Sequence, residues 1–117
     1  MAIDERPLRA EVARLASSVD GWVSLPGEDR YSAASRTFNG ALDRRPDLAV
    51  SCRTVDDVQR AFEAAATLDL PVSVRGGGHS VAGHGVGTGS LLVDLSPLRG
   101  VEVDSAARRV RVAGGSI

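Results

Sequence analysis

The amino-acid sequence predicts an α/β fold with a small parallel or mixed sheet flanked by helices. An amphipathic helix pattern over Thr54–Leu70 lies between two short apolar runs, Leu48–Cys52 and Pro71–Arg75. A strand–helix–strand unit of this kind favours parallel pairing with a right-handed crossover. Directly after the second strand the chain becomes rich in glycine, and seven of its 13 glycines fall between Arg75 and Ser90. Open α/β sheets bind ligands at the carboxyl ends of their strands, so a binding site is expected there.

The residues before this unit predict a helix, a strand and a second, shorter helix. In Leu8–Ser17 the apolar side chains recur at a spacing that places them on one helical face. Gly21–Leu25 is typical of a short strand, and a Pro-Gly pair follows it. Glu28–Arg36 is compatible with a short helix, and Asn39–Gly40 predicts a turn.

The helix predicted over Thr54–Leu70 carries its own start signals. Thr54 is a suitable N-cap, and Asp56 and Asp57 favour the positive end of the helix dipole. The apolar residues expected to share the core-facing side recur at helical spacing. They are Val55, Val58, Phe62, Ala65 and Ala66.

Three strands are predicted downstream of the glycine-rich segment. Leu91–Leu95 is the first, and a tight connection at Pro97–Gly100 leads to the second, Val101–Asp104. Arg109–Ala113 alternates polar and apolar residues, which predicts a half-exposed strand that pairs with the preceding one across a short turn.

The last four residues, Gly114–Ile117, resemble the start of another element more than the end of a domain. We therefore expect a truncated chain. Half of a sheet would leave apolar surface uncovered, so residues 1–117 alone are expected to be marginally stable and prone to aggregate.

The composition is that of an ordinary soluble globular protein, with 43% hydrophobic and 25% charged residues. A net charge of −1 gives no electrostatic basis for binding nucleic acid. No apolar stretch approaches the roughly 20 residues that span a bilayer, and the N-terminus lacks a signal-peptide pattern, so the default location is the cytoplasm. Cys52, the single cysteine, lies in an apolar run, which favours a small buried hydrophobe over a nucleophile.

The glycine-rich segment does not match the common nucleotide-binding motifs. It contains no G-x-G-x-x-G fingerprint, and His84-Gly85 stands where a P-loop has Lys followed by Ser or Thr. What remains is a row of backbone N–H groups with little side-chain obstruction, which suits diphosphate oxygens. Arg75, at the entrance, would complement their negative charge. The alternative is a set of tight turns.

The run Arg-Gly-Gly-Gly-His-Ser at 75–80 belongs to a larger group of motifs. The others are Ala82-Gly83, Leu92–Ser96, Val112–Gly115, Phe38–Gly40 and Asp43–Pro46. Together they resemble the N-terminal flavin-binding segment of berberine bridge enzyme-like FAD-linked oxidases, in the vanillyl-alcohol oxidase or PCMH-type superfamily. The resemblance covers roughly Gly21 to Ile117, and the run at 75–80 is its most specific part.

The resemblance implies a domain organisation and a cofactor site. Residues 1–20 would be a helical lead-in, and residues 21–117 the N-terminal part of a PCMH-type FAD-binding domain. His79 matches the histidine that attaches covalently to the 8α carbon of the isoalloxazine, and an imidazole nitrogen is a good nucleophile near neutral pH. The implied cofactor-binding residues are Arg75, Gly76, Gly77, Gly78, His79, Ser80 and Gly83.

Taken without the resemblance, His79 would be a hydrogen-bonding loop histidine or a metal ligand. His84 follows five positions later with no cysteine nearby, so a zinc site is not expected. His84 is expected to be a loop residue near the cofactor and not a second attachment point.

The function implied by the resemblance is oxidation of an alcohol, amine or similar C–H centre by hydride transfer to FAD. Dioxygen would be the acceptor, and a small molecule the substrate. No catalytic residue is expected within this segment, and residues 1–117 alone are expected to be inactive because the substrate domain is not among them. The alternative is a nucleotide- or phosphate-binding α/β module without redox activity.

Overall fold

A computed structural model describes residues 5–35, 44–77 and 86–116. No helix in these ranges is long and apolar enough to cross a membrane. The predicted turn at Asn39–Gly40 lies outside them. The other predicted elements are present with slightly different ends: α1 (Glu5–Ser18), β1 (Trp22–Ser24), α2 (Asp29–Ala34), β2 (Leu48–Ser51), α3 (Val55–Leu68), β3 (Val72–Arg75), β4 (Leu91–Asp94), β5 (Val101–Asp104) and β6 (Arg109–Val112).

The main sheet is mixed and has the strand order β1-β2-β4-β3. β1 pairs with β2 antiparallel, whereas β2 and β3 each pair with β4 in parallel. The α/β fold with a small mixed sheet is therefore confirmed. The two strands that flank α3 are parallel as predicted, but they are not neighbours, because β4 lies between them. All of β4 is buried. In its central place a strand on each side pairs with its backbone groups, and both faces of its apolar side chains are covered.

The core lies mainly between the sheet and the pair of helices α1 and α3. Leu48 and Val50 of β2 and Leu91 and Val93 of β4 are fully buried on this side, packed with Leu15 of α1. From α3, small side chains complete the cluster: Ala61, Ala64 and Ala65. The opposite side carries a smaller cluster of Ala34, Ala49, Val86 and Leu92.

The predicted inner face of α3 is partly wrong. Val55 is 72% exposed and Phe62 is 47% exposed, and Ala66 is also exposed. The helix is instead turned so that Asp57 faces inwards together with Ala61. Asp57 makes hydrogen bonds on this inner side of the helix. The prediction missed this orientation because it used only the spacing of apolar residues, and that spacing contains no information on hydrogen bonds.

Asp57 joins three parts of the backbone near the start of α3. Its carboxylate accepts from the N–H of Asp20 at 2.9 Å, of Gly21 at 3.0 Å and of Arg53 at 3.0 Å. The predicted N-cap is present too, since Thr54 Oγ1 accepts from the N–H of Asp57 at 3.0 Å. The carboxylate therefore holds the α1–β1 connection against the entry of α3.

The β5–β6 hairpin forms a separate two-stranded sheet, and all of its residues are exposed. The prediction of a half-exposed strand is therefore wrong. Val101 pairs with Val112 and Val103 with Val110, so one face is apolar, yet these valines are 57–69% exposed. Charged pairs occupy the other face: Glu102 with Arg111 and Asp104 with Arg109. The alternation predicted here is present, but it does not mark a buried side.

We expect Asp57→Asn to lower the free energy of unfolding by about 3 kcal/mol, because the new amide places a donor opposite backbone donors. Burial alone would raise the pKa of Asp57, but the backbone N–H groups and the Thr54 side chain outweigh it and hold the pKa below its usual value. The stabilisation is therefore complete above the unfolded-state pKa of about 3.9 and is lost as the pH falls through the lower folded-state pKa.

Urea titrations of the wild type and Asp57→Asn over this pH range measure the difference. The adjacent, exposed Asp56 provides the control variant Asp56→Asn, for which little change is expected. Equal losses in the two variants would contradict the assignment of Asp57.

Cys52 is fully buried, which confirms its prediction as a small buried hydrophobe. Burial, with smaller contributions from the negative charges of Asp57 and Asp94, raises the pKa of its thiol to about 12. Because the thiolate is the reactive form, we expect no alkylation of the folded protein at mildly alkaline pH and complete alkylation in urea. Mass spectrometry after a timed iodoacetamide pulse measures both states, and rapid labelling of the folded protein would refute the buried, protonated thiol.

Candidate cofactor site

The site predicted from the sequence lies where three parallel strands end together. In register across the sheet, Ser51 of β2 is beside Asp94 of β4, and Asp94 is beside Arg75 of β3. The glycine-rich segment begins at the next residue, Gly76. It therefore starts at the carboxyl edge of a parallel sheet, as the sequence predicts.

Arg75 and Asp94 form an ion pair at this edge. Arg75 Nη1 lies 3.2 Å from Asp94 Oδ1, and the two side chains are only 12% and 7% exposed. The backbone of Arg75 is held as well, because its carbonyl accepts from the N–H of Leu95 at 2.8 Å. The predicted contact of this guanidinium with a diphosphate is a separate matter and stays a prediction.

Ser96 connects the ion pair to the first glycine. Its hydroxyl lies 2.6 Å from Asp94 Oδ1 and 3.4 Å from the carbonyl oxygen of Gly76, and it accepts from Arg75 Nη1 at 2.9 Å. The N–H of Ser96 also donates to Asp94 Oδ1, at 3.2 Å. The start of the glycine-rich segment is thus bonded to the end of β4 by side chains.

A second glycine pair packs against this point. A Cβ on Gly76 would lie 2.6 Å from the carbonyl oxygen of Gly114, and one on Gly115 would lie 1.8 Å from the carbonyl oxygen of Leu95. The N–H of Gly115 donates to the carbonyl of Leu98 at 2.9 Å. Close backbone approach therefore requires glycine at both places.

Some of the predicted site residues can be placed and others cannot. Arg75, Gly76 and Gly77 lie at the carboxyl edge, where the sequence predicts them. The remaining ones lie outside the residues that the structure describes, and their roles stay predictions: Gly78, His79, Ser80 and Gly83, together with His84. Sequence reasoning placed Asp94 and Ser96 in a motif but assigned them no role. An acidic residue and a serine at the end of a buried strand were the available signal.

Three ionisable groups around this edge have structural roles in the described ranges. The Asp94 carboxylate is paired with Arg75, the Asp57 carboxylate accepts backbone N–H groups, and the Cys52 thiol is protonated because its pKa is about 12. The Asp94 and Asp57 bonds therefore hold the backbone of this part of the edge in one geometry.

Comparison with known proteins assigns this region to a family. The family model described as the FAD binding domain matches residues 46–117, which include the whole carboxyl edge and the hairpin. (R)-6-hydroxynicotine oxidase of Paenarthrobacter nicotinovorans is 31% identical over 100 residues, covering 86% of this chain and 22% of that protein. The FAD-linked oxidoreductase ptmO of Penicillium ochrochloron is 36% identical over 91 residues, covering 77% of this chain and 20% of that protein. The chain thus spans about a fifth of the length of these relatives.

Solved structures agree. The chain superposes on 6-hydroxy-D-nicotine oxidase from Arthrobacter nicotinovorans with a TM-score of 0.78 and 31% identity, covering 86% of this chain and 22% of that one. On the berberine bridge enzyme-like protein 1 of Physcomitrella patens the TM-score is 0.72 with 28% identity, covering 82% and 21%. The chain belongs to the FAD binding domain family, in the berberine bridge enzyme-like group of FAD-linked oxidoreductases, and corresponds to an N-terminal portion of such proteins.

Proposed function

We propose that the polypeptide containing this chain is an FAD-dependent oxidoreductase and that its FAD is bound by residues 75–80 and Gly83, with His79 covalently attached to the flavin. The observation that carries the proposal is the passage of β3 into consecutive glycines at the carboxyl edge of a parallel sheet, within the part of the chain that matches the FAD binding domain. Bound FAD would supply the redox chemistry as hydride acceptor.

The described residues fit this cofactor. Gly76 and Gly77 present backbone N–H groups without side chains, and a diphosphate is best bound by such groups at the end of a strand. The proposed binding residues continue through Gly78, Ser80 and Gly83. Arg75 is anchored by Asp94 directly before them, so the chain enters the proposed site from a fixed position.

His79 is the proposed point of attachment because it matches the flavin-attaching histidine of the family that this chain resembles, and it lies four residues after the anchored Arg75. The bond would join an imidazole nitrogen to the 8α carbon of the flavin, and each of the two atoms would lose one hydrogen. Its formation is therefore a two-electron oxidation, for which dioxygen is the proposed oxidant. Such a bond would anchor the flavin and raise its redox potential.

The proposed reaction is oxidation of an alcohol, amine or similar C–H centre of a small molecule by hydride transfer, with dioxygen as acceptor. A relative 31% identical to this chain is named as an oxidase, which supports this class of reaction. A phosphate- or nucleotide-binding module without redox activity is the competing function, and the flavin content of the purified protein distinguishes the two.

We expect flavin to remain with the polypeptide after denaturation in the wild type and to become extractable in His79→Ala. Flavin fluorescence of the band in a denaturing gel measures this. His84→Ala is the matched control and should keep the covalent flavin. Extractable flavin in the wild type would refute the covalent bond, and absence of any flavin would favour the non-redox module.

We also expect Gly76→Ala to weaken FAD binding by about tenfold, because the added Cβ would overlap the carbonyl oxygen of Gly114 and displace the start of the binding segment. Gly87→Ala is the control, since a Cβ there would meet its neighbours at ordinary distances of 3.4–3.6 Å. Flavin fluorescence titration of the two apoproteins, each also carrying His79→Ala so that binding is reversible, compares them. Equal affinities would show that the backbone at Gly76 does not matter for the cofactor.

A further inference from the structure

The contacts of Ser96 define the direction of its hydroxyl group. The hydroxyl has one proton and two possible acceptors: Asp94 Oδ1 at 2.6 Å and the carbonyl oxygen of Gly76 at 3.4 Å. The shorter contact is to a carboxylate and is the stronger one, so the proton points to Asp94. The oxygen lone pairs are then available to Arg75 Nη1, which lies 2.9 Å away. Arg75, Ser96 and Asp94 form one directed chain of hydrogen bonds.

This chain of bonds fixes both sides of the point where β3 ends. Asp94 and Ser96 hold the Arg75 side chain, and the N–H of Leu95 holds the Arg75 carbonyl at 2.8 Å. The ion pair is largely buried, with Arg75 12% and Asp94 7% exposed, so water competes weakly for these bonds. The proposed flavin-binding residues follow directly.

We propose that Ser96 and Asp94 are positioning residues for the cofactor segment: they hold Arg75 and the start of the glycine run so that the residues after it meet FAD in one arrangement. The inference rests on the proposed function. Neither side chain needs to touch FAD, because both act through Arg75 and Gly76. Misplacement of a binding segment by a fraction of an ångström is enough to weaken binding severalfold or more.

A pair of serines elsewhere in the sheet provides a control variant, in which a buried hydrogen bond is lost but Arg75 keeps its partners. Ser73 Oγ and Ser90 Oγ lie 2.8 Å apart, and Ser90 also donates to the carbonyl of Gly87 at 2.5 Å. Ser90 is 3% exposed, more buried than Ser96, and precedes β4, whereas Ser96 follows it. We therefore expect Ser90→Ala to destabilise the same pair of strands, β3 and β4, at least as much, without removing a bond to Arg75.

The experiment uses the polypeptide that contains this chain and compares Ser96→Ala, Ser96→Thr, Asp94→Asn and Ser90→Ala with the wild type. Each protein, including the reference, is prepared in a His79→Ala background, in which FAD binding is reversible. FAD affinity is measured by fluorescence titration of each apoprotein, and the melting temperature is recorded without FAD. We expect Ser96→Ala and Asp94→Asn to weaken FAD binding by about tenfold, Ser96→Thr to restore it to within about threefold, and Ser90→Ala to change it by less than about twofold despite a lower melting temperature.

Two results overturn the inference, and they are distinguishable. If the wild type binds FAD and Ser96→Ala weakens binding no more than Ser90→Ala does, Ser96 is a structural residue only, and the proposed function stands. If the wild type does not bind FAD, the proposed function fails and the inference fails with it. Should Asp94→Asn not fold, Ser96→Ala and Ser96→Thr decide the question, because Ser96 is partly exposed and both changes are small.

Discussion

The insertion of β4 between β2 and β3 is the constraint from which the site follows. β4 is buried throughout and pairs in parallel with a strand on each side. Its last residue, Asp94, is consequently held buried between Ser51 and Arg75. A buried carboxylate has lost its hydration and needs hydrogen-bond donors in place of water. Arg75 and Ser96 provide these donors. Burial of one apolar strand thereby determines how the chain leaves the neighbouring strand.

Two buried carboxylates, those of Asp57 and Asp94, stabilise the carboxyl edge of the sheet. Asp57 binds the backbone of the α1–β1 connection and of the loop before α3, so it secures the β1–β2 side. Asp94 binds Arg75 and Ser96 and secures the β3–β4 side, where the glycines begin. Backbone amides stabilise the first carboxylate, whereas a side-chain cation stabilises the second. The second arrangement therefore depends on more side chains.

Local features were predictable from the sequence, and long-range ones were not. Helix α3 was predicted because its cap and its spacing are encoded in adjacent residues, but its orientation depends on Asp57, whose partners Asp20 and Gly21 lie far away in the chain. The place of β4 between β2 and β3 likewise depends on pairing between residues that are distant in the chain. The exposed hairpin shows that alternation predicts pairing and does not by itself predict a covered face.

The same division applies to the candidate site. The position of Arg75 and Gly76 at a carboxyl edge followed from local pattern, because a strand that leads into glycines is visible in the sequence. Their contacts did not follow: the carbonyl of Gly114 meets the position of a Gly76 Cβ from 38 residues further along, and Ser96 reaches Gly76 from 20 residues away. Residues this far apart in the chain come together only because the strand order of the sheet places them side by side. The motifs around 92–96 and 112–115 therefore both contact the short backbone segment that begins at Gly76.

The distribution of charge at the edge argues for a division of roles within the proposed enzyme. A group that exchanges protons in a reaction must be able to change its protonation state near the working pH. In the described part of the edge, Asp57 has a lowered pKa, Cys52 has a raised one, and Asp94 is held by a cation. Asp57 and Cys52 are suited to keeping one charge state, and the ion pair is suited to keeping Asp94 in one geometry. These three groups are therefore suited to the positioning role proposed for this edge.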